Sequence, residues 1–196
     1  LIPLNEEDPF ESIWRSKAAP YIKQNHLNEQ QLKQCVKESY FNNDTDIEDS
    51  SDQLYTDLTF LIEQDATAKI CAKHMTKPVY YYYFQYDGLL ALTKILKFRI
   101  KKGPTHADEN GYLFHQLNTP PVGDSGDWIM SRRLVKLWTT FAKHGIPFLR
   151  IDPDGVDVDW TPFTLDNQVY LDINRTFTMK KDLRKERLDI WERCKK

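Results

Sequence analysis

The sequence predicts an α/β fold, in which helices cover a sheet. Apolar residues recur at helical spacing through Gln53–Met75 and again from Trp128 to His144, as expected of helices that bury one face. Between them, Pro78–Phe84 is short, rich in aromatic residues and apolar on both alternations. That pattern is typical of a strand covered on both faces of a parallel sheet. Val169–Ile173 alternates as a second short strand.

The N-terminal part of the chain predicts one well-defined helix between two loops. Residues 1 to 26 carry prolines among acids and scattered apolar residues, which indicates a loop with one or two short helical turns. A helix follows from Asn28, whose side chain can cap it while Gln31 reaches back as in a capping box. The acidic and polar stretch Asn42–Asp52 then predicts a mobile loop.

The two long amphipathic segments have predicted boundaries. The helix of Gln53–Met75 is expected to be interrupted near Asp65. Asp127 is expected to cap the helix that begins at about Trp128, and Gly145 to close it. The predicted inward face of that helix consists of Ile129, Leu134, Leu137, Trp138 and Phe141.

The chain is predicted to end in an amphipathic helix. Asp182 can open it, and one side then carries Leu183, Leu188 and Trp191 while the other side is basic.

Three cysteines do not predict a disulfide framework. Cys35, Cys71 and Cys194 are an odd number without Cys-x-x-Cys spacing, so neither a zinc site nor a self-contained set of disulfides is indicated. Cys35 falls on the apolar face of its helix and is interpreted as a core thiol.

Composition and charge exclude several classes of function. The 196 residues are 40% hydrophobic and 13% aromatic, which is typical of a globular chain. With 27 basic and 29 acidic residues the net charge is -2, so no nucleic-acid partner is predicted. The longest apolar stretches are far too short for a membrane span. No metal site is predicted either, because the candidate ligands lack the His-Glu-x-x-His spacing; they are His106, Asp108, Glu109 and His115.

Localisation stays open between secreted and cytoplasmic. Asn43 and Asn174 each begin an Asn-x-Thr sequon, which matters only in a secreted protein. The chain starts at Leu1 without a pattern typical of a signal peptide, so it is expected to begin in the middle of a longer protein.

The stretch Gly103–Phe114 is the main candidate for function. His106 follows a Gly-Pro turn, Asp108 and Glu109 come next, and an apolar Tyr-Leu-Phe anchor ends the stretch. This order would hold an imidazole on a loop while the segment behind it is buried. Histidine titrates near neutrality, so such a side chain can take a proton from a nucleophile and later return it. A surface histidine beside solvated acids is the alternative interpretation.

The same stretch carries a family resemblance. Gly-x-x-His-Ala-Asp-Glu-x-x-Tyr-Leu-Phe resembles the catalytic-histidine segment of the carboxylesterase and cholinesterase family of serine hydrolases, in the form seen in insect carboxylesterases. Pro78–Phe84 is similar to the family's strand upstream of the histidine, and Leu137–Pro147 to its Trp-x-x-Phe-Ala-x-x-Gly-x-Pro helix end. Trp160–Phe163 and Tyr170–Ile173 continue the match, which runs from about residue 50 to the C-terminus.

The resemblance implies a fold and an activity. Residues 1–196 would be the C-terminal part of a single α/β-hydrolase domain, and the activity would be hydrolysis of carboxylic esters by a Ser-His-Glu triad without a cofactor. His106 would be the catalytic base of that triad. Because the chain has no Gly-x-Ser-x-Gly and no Gly-Gly run, the nucleophile, oxyanion donors and acid are expected in an upstream half, on the same protein or a nicked chain. The implied substrates are small hydrophobic esters of xenobiotic, hormone or pheromone type.

Further site residues are also implied by the resemblance. Glu109 matches an acid that is buried beneath the site and braces the loop, with solvent exposure as the alternative. Phe60 and Leu61 match walls of the acyl pocket, with plain core packing as the alternative. Asp57 precedes His106 and can be considered as the orienting acid, although its counterpart in the family is structural.

Two other hypotheses compete with the half-enzyme. A non-catalytic relative would keep the scaffold as a ligand-binding or adhesion module, and the presence of a serine in an upstream Gly-x-Ser-x-Gly would discriminate between the two. A chain that works alone is disfavoured, because a sheet cut to its last strands would expose an unpaired edge.

Overall fold

The computed structural model describes residues 8–42, 46–97, 103–115, 119, 126–149 and 158–195. The chain divides into two units, of which the first combines Leu1–Cys71 with Arg184–Lys196 and the second is Ala72–Leu183. Helices form the described part of the first unit, and the second contains the strands. That residues 1–196 belong to one larger domain stays a prediction.

The first unit is built from helices joined by π-helical turns. Trp14–Ala18 and Asp57–Leu61 are π-helical, and each continues directly into the α-helices before and after it. Among the described residues, the α-helices that begin in this unit are α1 (Pro9–Ile13), α2 (Ala19–Asn25), α3 (Glu29–Tyr40), α4 (Ile47–Thr56), α5 (Ile62–His74) and, at the C-terminus, α9 (Lys185–Cys194).

The expected loop at the N-terminus is wrong for Pro9–Asn25, which is helical throughout. Pro9 occupies the first turn of α1, where a proline is tolerated because its missing N–H would have had no partner. Pro20 follows the π-helical turn, in which the Ala19 N–H bonds back five residues to the Trp14 carbonyl. We infer that this wider turn accommodates the proline ring within a continuous helical run.

The capped start of α3 is confirmed, and the loop predicted after it is wrong. The Asn28 side chain accepts a hydrogen bond from the Gln31 N–H at 3.3 Å. Instead of a loop through Asn42–Asp52, α4 begins at Ile47, and Asp46 caps it by accepting from two backbone N–H groups at 2.9 Å. Acids in the first turn interact favourably with the helix N-terminus, so the acidic composition belongs to a helix start.

A disulfide joins Cys35 of α3 to Cys194 of α9, which corrects the interpretation of Cys35 as a core thiol. The two residues are 159 positions apart in sequence, and their Cα atoms are 5.6 Å apart. Cys71 is free and half-buried. The three cysteines are therefore one disulfide pair and one free thiol, which their odd number did not suggest. The disulfide borders a core that includes the fully buried side chains Phe10, Ile13, Trp14, Leu32, Leu54 and Trp191.

The predicted Gln53–Met75 helix is confirmed in kind but not in detail. Its residues belong to a continuous helical run from Ile47 to His74. The expected interruption near Asp65 is absent from that run, and the irregularity is the π-helical turn Asp57–Leu61.

The second unit contains a three-stranded and a two-stranded sheet over its described residues. In the first, β1 (Tyr82–Phe84) pairs parallel with β4 (Val169–Ile173), and β4 pairs antiparallel with β5 (Phe177–Lys181). In the second, β2 (Phe148–Leu149) pairs antiparallel with β3 (Val158–Asp159).

The predicted strand Pro78–Phe84 is confirmed with a shorter regular part. β1 comprises its last three residues, and Val79 forms a single bridge to Phe163. Both faces of β1 pack against aromatic side chains. On one face the ring centroids of Tyr82 and Trp160 are 6.1 Å apart, and on the other face the ring centroids of Tyr83 and Tyr170 are 6.4 Å apart.

The helix that follows the His106 loop, α8, runs from Gly126 to His144. Asp127 therefore lies inside the first turn instead of preceding it. Leu134 and Leu137 are fully buried as predicted, but Phe141 is 48% exposed. Gly145 adopts a φ of +71° and ends the helix as predicted, with its N–H bonded to the Phe141 carbonyl.

The C-terminal segment contains a strand that the sequence did not predict. In β5 (Phe177–Lys181), half-buried Phe177 and Met179 alternate with exposed Thr178 and Lys180. This apolar pattern has only two members, and the lysines that follow are typical of a sheet edge, so the sequence marks the strand weakly. The last helix begins at Lys185, after Arg184 in the left-handed region, and not at Asp182. Trp191 is fully buried on it, as predicted.

Candidate active site

The candidate site is a loop that leaves the carboxyl end of β1 and returns to α8. It includes two short helices, α6 (Leu92–Ile95) and α7 (Asn110–Leu113). Because β1 is parallel to β4, both strands end on the same side of the sheet, and this loop begins there at their carboxyl ends. Binding and catalytic groups of α/β folds are concentrated at the carboxyl ends of the parallel strands.

His106 occupies a turn of this loop. The Asp108 N–H bonds to the Thr105 carbonyl at 3.2 Å, and the Asn110 N–H to the Ala107 carbonyl at 3.1 Å. Ala107 has a φ of +69°, a left-handed conformation that residues with a side chain rarely adopt. The His106 side chain is exposed. The structure therefore presents the imidazole at the surface of a tightly bonded turn.

Asp108 is the buried centre of that turn, a role that the sequence interpretation missed. Its side chain is 0% exposed. One carboxylate oxygen accepts from the Thr105 N–H at 2.8 Å. The other accepts from the Thr93 N–H at 2.9 Å and from the Thr93 hydroxyl at 2.7 Å. The sequence carried a signal for the first of these bonds, since Thr105-x-x-Asp108 has the form of a capping box.

A second carboxylate closes the base of the loop. Asp87 accepts a hydrogen bond from the Gly103 N–H at 3.2 Å and forms an ion pair with Lys94. Gly103 has a φ of +93°, which favours glycine. Asp87 thus connects the segment after β1 to the segment that enters the His106 turn.

Two glycines allow the loop to pack closely on its supports. A Cβ on Gly111 would lie 1.8 Å from the Leu90 carbonyl oxygen, so α7 approaches that backbone directly. A Cβ on Gly88 would lie 1.8 Å from an oxygen of Asp127 and 2.6 Å from the Tyr112 hydroxyl.

Asp127 anchors the underside of the loop to α8. It is buried, accepts from the Leu89 N–H at 3.0 Å, and receives the Tyr112 hydroxyl at 3.4 Å. Burial and then the negative charge of Asp127 raise the pKa of Tyr112 and also that of Tyr86. The Ser131 hydroxyl adds a bond of 2.6 Å to the Tyr112 carbonyl. The expected cap is therefore a buried acceptor for groups outside its own helix.

Glu109 is half-buried beside β1. Its charge contributes, after burial, to raising the pKa of Tyr82, so its carboxylate lies within electrostatic reach of that phenol. This position is neither fully buried nor freely exposed. That it braces the His106 loop from beneath the site stays a prediction.

The other candidate residues lie in the first unit. Phe60 is half-buried and Leu61 is buried, and both belong to the π-helical turn Asp57–Leu61. Turns of this kind occur often at functional sites. Their role as pocket walls stays a prediction.

Asp57 has structural partners. It is 0% exposed, accepts from the Tyr40 hydroxyl at 2.6 Å, and lies 3.1 Å from a guanidinium nitrogen of Arg187. The Trp191 indole N–H in turn donates to the Tyr40 hydroxyl at 3.0 Å. These bonds join α3, the π-helical turn and α9, in agreement with the structural interpretation of Asp57.

The remaining candidates concern modification, metals and membranes. Asn174 is exposed in the turn between β4 and β5, whereas Asn43 lies outside the described residues. In the part of the chain that the structure describes, no three His, Cys, Asp or Glu side chains are arranged to hold a metal ion. None of the described helices has the length and hydropathy to cross a membrane.

The sheet, its covering helices and the histidine-bearing loop define a portion of an α/β-hydrolase fold. Solved structures agree: juvenile hormone esterase from Manduca sexta with OTFP covalently attached superposes with a TM-score of 0.67 at 20% identity, covering 97% of this chain and 39% of that one. A thermophilic pNB esterase gives a TM-score of 0.64 at 18% identity, covering 95% of this chain and 33% of that one.

The sequence profile of the carboxylesterase family matches residues 4–191, and the chain belongs to that family. Bile salt-activated lipase of Rattus norvegicus is 33% identical over 141 residues, which are 69% of this chain and 22% of that protein. Esterase E4 of Myzus persicae is 28% identical over 66% of this chain and 24% of its own length. Carboxylesterase 5A of Homo sapiens is 28% identical over 97% of this chain and 33% of its own length. The chain thus spans about a fifth to a third of these relatives.

Proposed function

We propose that this chain is the C-terminal portion of a carboxylic-ester hydrolase in which His106 is the general base. The observation that supports this most directly is the presentation of an exposed imidazole on a turn whose backbone is held by a buried carboxylate. A base that acts on a substrate must be accessible and fixed in direction at the same time.

The chemistry assigned to His106 has three steps. It first takes the proton of a serine hydroxyl in the upstream half as the oxygen attacks the ester carbonyl. It then gives that proton to the leaving alkoxide, which departs as an alcohol. Finally it takes a proton from water, whose oxygen attacks the acyl-enzyme, and returns the proton to the serine as the carboxylic acid is released.

The upstream half of the same esterase is the proposed partner, and we propose that one of its strands pairs with the side of β1 that faces away from β4. Within the described residues β1 pairs with β4 alone and lies at the end of the sheet. The Tyr81 carbonyl and the Gln85 N–H bond to β4. Successive residues of a strand direct their backbone N–H and C=O groups to opposite sides, so those of Tyr82 and Phe84 point away from β4. A strand of the upstream half would satisfy those groups.

The proposed substrates are small hydrophobic esters. This rests on the insect-type motif around His106 and on the similarity to an insect juvenile hormone esterase and to a bile salt-activated lipase. Phe60 and Leu61 are the residues of this chain that we assign to the acyl pocket. No cofactor is required by this chemistry.

Substitution of the histidine in the complete protein tests the assignment. His106→Ala is expected to reduce turnover of an aryl ester by about 10⁴-fold or more with the fold intact, because the nucleophile loses its base. His74→Ala, an exposed histidine at the end of α5, is the control and is expected to keep normal turnover. Near-normal turnover of His106→Ala would refute the role.

Covalent labelling separates the half-enzyme from its competitor. An organophosphate is expected to mark a serine of the upstream half and no residue of 1–196. The intact masses of all polypeptides in the sample will show whether that half is present as a separate chain. Absence of labelling in the complete protein, together with an upstream half that lacks Gly-x-Ser-x-Gly, would favour the ligand-binding or adhesion module.

We also propose that Asn174 carries an N-linked glycan. Its sequon lies in an exposed turn, and the Cys35–Cys194 disulfide is typical of proteins that fold in an oxidising compartment. Protein secreted from insect cells should lose mass on glycosidase treatment, and Asn174→Gln should remove part or all of that loss. The variant Asn43→Gln reports separately on the other sequon. An unchanged mass for Asn174→Gln would overturn this assignment.

A further inference from the structure

We infer that Asp108 is a positioning residue for His106 and that it acts through Thr93. The inference rests on the proposed function of His106 as general base, and it concerns a residue two positions away that does not itself exchange protons.

The two carboxylate oxygens of Asp108 fix two separate segments. One oxygen accepts from the N–H of Thr105, the residue before His106, at 2.8 Å. The other accepts the N–H and the hydroxyl of Thr93 in α6, at 2.9 and 2.7 Å. The Asp108 backbone adds a third link, because its carbonyl accepts from the Leu92 N–H at 3.3 Å. The residue thus ties the His106 turn to α6 with its side chain and its backbone.

Burial makes these bonds difficult to replace. Asp108 is 0% exposed, so water does not reach the oxygens of its carboxylate, although Thr93 is half-buried and Thr105 is exposed. Water therefore cannot replace this acceptor unless the loop moves. In this loop the movable backbone is the one that carries His106.

The conformation of Ala107 shows what the carboxylate maintains. Its φ of +69° reverses the chain between His106 and Asp108 and brings the carboxylate back onto the Thr105 N–H. A left-handed residue with a side chain persists only where surrounding bonds determine it. Loss of the bonds would let this turn relax and redirect the imidazole.

The same bonds argue against Asp108 as the acid of the triad. Both oxygens are occupied by donors on Thr93 and Thr105. An acid that orients the catalytic histidine would instead use an oxygen to accept from the ring N–H. Asp108 therefore acts on the backbone that carries the ring.

The experiment compares variants in the complete esterase. Asp108→Asn keeps the shape of the side chain but replaces one acceptor by an NH₂ group that faces a donor. Thr93→Val removes one hydroxyl and keeps the backbone N–H, so it is the milder variant that should fold. Thr93→Ser restores the hydroxyl and is the conservative rescue. Active sites are counted by organophosphate titration, so that kcat is expressed per competent site.

The expected result is a reduced kcat per titrated site at a KM within about twofold of wild type. We expect reductions of about 10- to 100-fold for Asp108→Asn, since misplacement of a reacting group by about 1 Å can reduce the rate about 100-fold. Thr93→Val should lower kcat by about 3- to 10-fold, and Thr93→Ser should restore it, as one hydrogen bond of three is lost and regained. The rates of phosphonylation should fall in parallel with kcat.

Each contrary outcome identifies the inference that fails. If Asp108→Asn and Thr93→Val lower only the number of titratable sites while kcat per site is normal, the carboxylate supports folding alone and this inference is overturned. The same holds if Thr93→Ser behaves like Thr93→Val. If His106→Ala keeps its turnover, the proposed function is overturned as well, whereas His106→Ala without turnover and Asp108→Asn with normal kcat overturn only the positioning role.

Discussion

The buried carboxyl of Asp57 predicts an unusual dependence of stability on pH. Burial raises its pKa from 3.8 to about 6, although the hydrogen bond from Tyr40 and the charge of Arg187 act in the opposite direction. The native state therefore holds a proton on this group in a range where the unfolded chain has released it. We consider burial the stronger influence, because the side chain is 0% exposed and Arg187 forms one contact at 3.1 Å.

The sign and size of the effect follow from linkage. A group whose pKa is higher in the folded state contributes stability that is fully present below its unfolded pKa and is lost as the pH rises through its folded pKa. The shift from 3.8 to about 6 is roughly two units, and two units correspond to about 3 kcal/mol of unfolding free energy. That contribution should be present at pH 4 and lost by pH 7.

Urea denaturation of wild type and Asp57→Asn between pH 4 and 7 measures this contribution. Asparagine resembles the protonated acid, so the two proteins should be about equally stable at pH 4. At pH 7 the variant should be more stable by about 3 kcal/mol. Asp189→Asn is the control, since Asp189 forms an exposed ion pair with Lys185 and should contribute less than about 1 kcal/mol.

The opposite result would refute the reasoning. If the stability of Asp57→Asn relative to wild type does not rise between pH 4 and 7, the folded pKa of Asp57 does not lie above its unfolded value, and burial is not the stronger influence. A variant that is less stable than wild type by about the same amount at pH 4 and at pH 7 would show that the contacts with Arg187 and Tyr40 stabilise the ionised carboxylate and outweigh burial.

Two further predictions concern covalent and steric constraints. Cys35→Ser should lower the free energy of unfolding by about 2–5 kcal/mol, because the disulfide to Cys194 closes a very long loop. The midpoint of urea denaturation without reductant measures this loss. Cys71→Ser is the control and should shift the midpoint much less, because Cys71 is a free thiol. Gly111→Ala should destabilise the protein by about 1–3 kcal/mol and reduce ester turnover, because the new Cβ would overlap the Leu90 carbonyl. Gly126→Ala, whose Cβ would meet only a tyrosine hydroxyl at 3.1 Å, should be tolerated, and equal thermal midpoints for the two variants would contradict the steric argument.

The sequence predicted those parts of the fold that depend on local patterns. The Asn28 cap, the apolar face of α8 around Leu134, and the strand ending at Phe84 each follow from the spacing of a few neighbouring residues. The family resemblance then identified the fold as a portion of an α/β hydrolase, which the profile match over residues 4–191 confirms.

Other features depend on contacts between distant residues or on local alternatives of similar energy. The pairing of Cys35 with Cys194 across 159 positions has no local signature, and an odd cysteine count conceals it. The helix at Pro20 requires a π-helical turn that a proline-rich composition does not suggest. The acidic start of α4 has the composition of a loop and becomes a helix through the Asp46 cap.

The candidate site was only partly predictable for a related reason. That His106 lies on a loop follows from the preceding Gly-Pro, and the structure agrees. Which of the two following acids is buried depends on the left-handed conformation of Ala107, which turns Asp108 inward and leaves Glu109 half-buried beside Tyr82. Composition does not distinguish two adjacent acids, but backbone geometry does.

The buried acids of the two units use their oxygens in different ways. Asp57 accepts a hydrogen bond from Tyr40 and forms an ion pair with Arg187, and these two residues belong to helices far apart in sequence, so the contacts secure the packing of secondary structure elements. Asp108 bonds to two backbone N–H groups and one hydroxyl within 15 residues of itself. Bonds of the second kind contribute little to the packing of the core, but they determine the path of a single loop. Burying a carboxylate carries a desolvation penalty, which its hydrogen bonds must offset. Such an arrangement is expected where a loop must hold one side chain, here that of His106, in a definite direction.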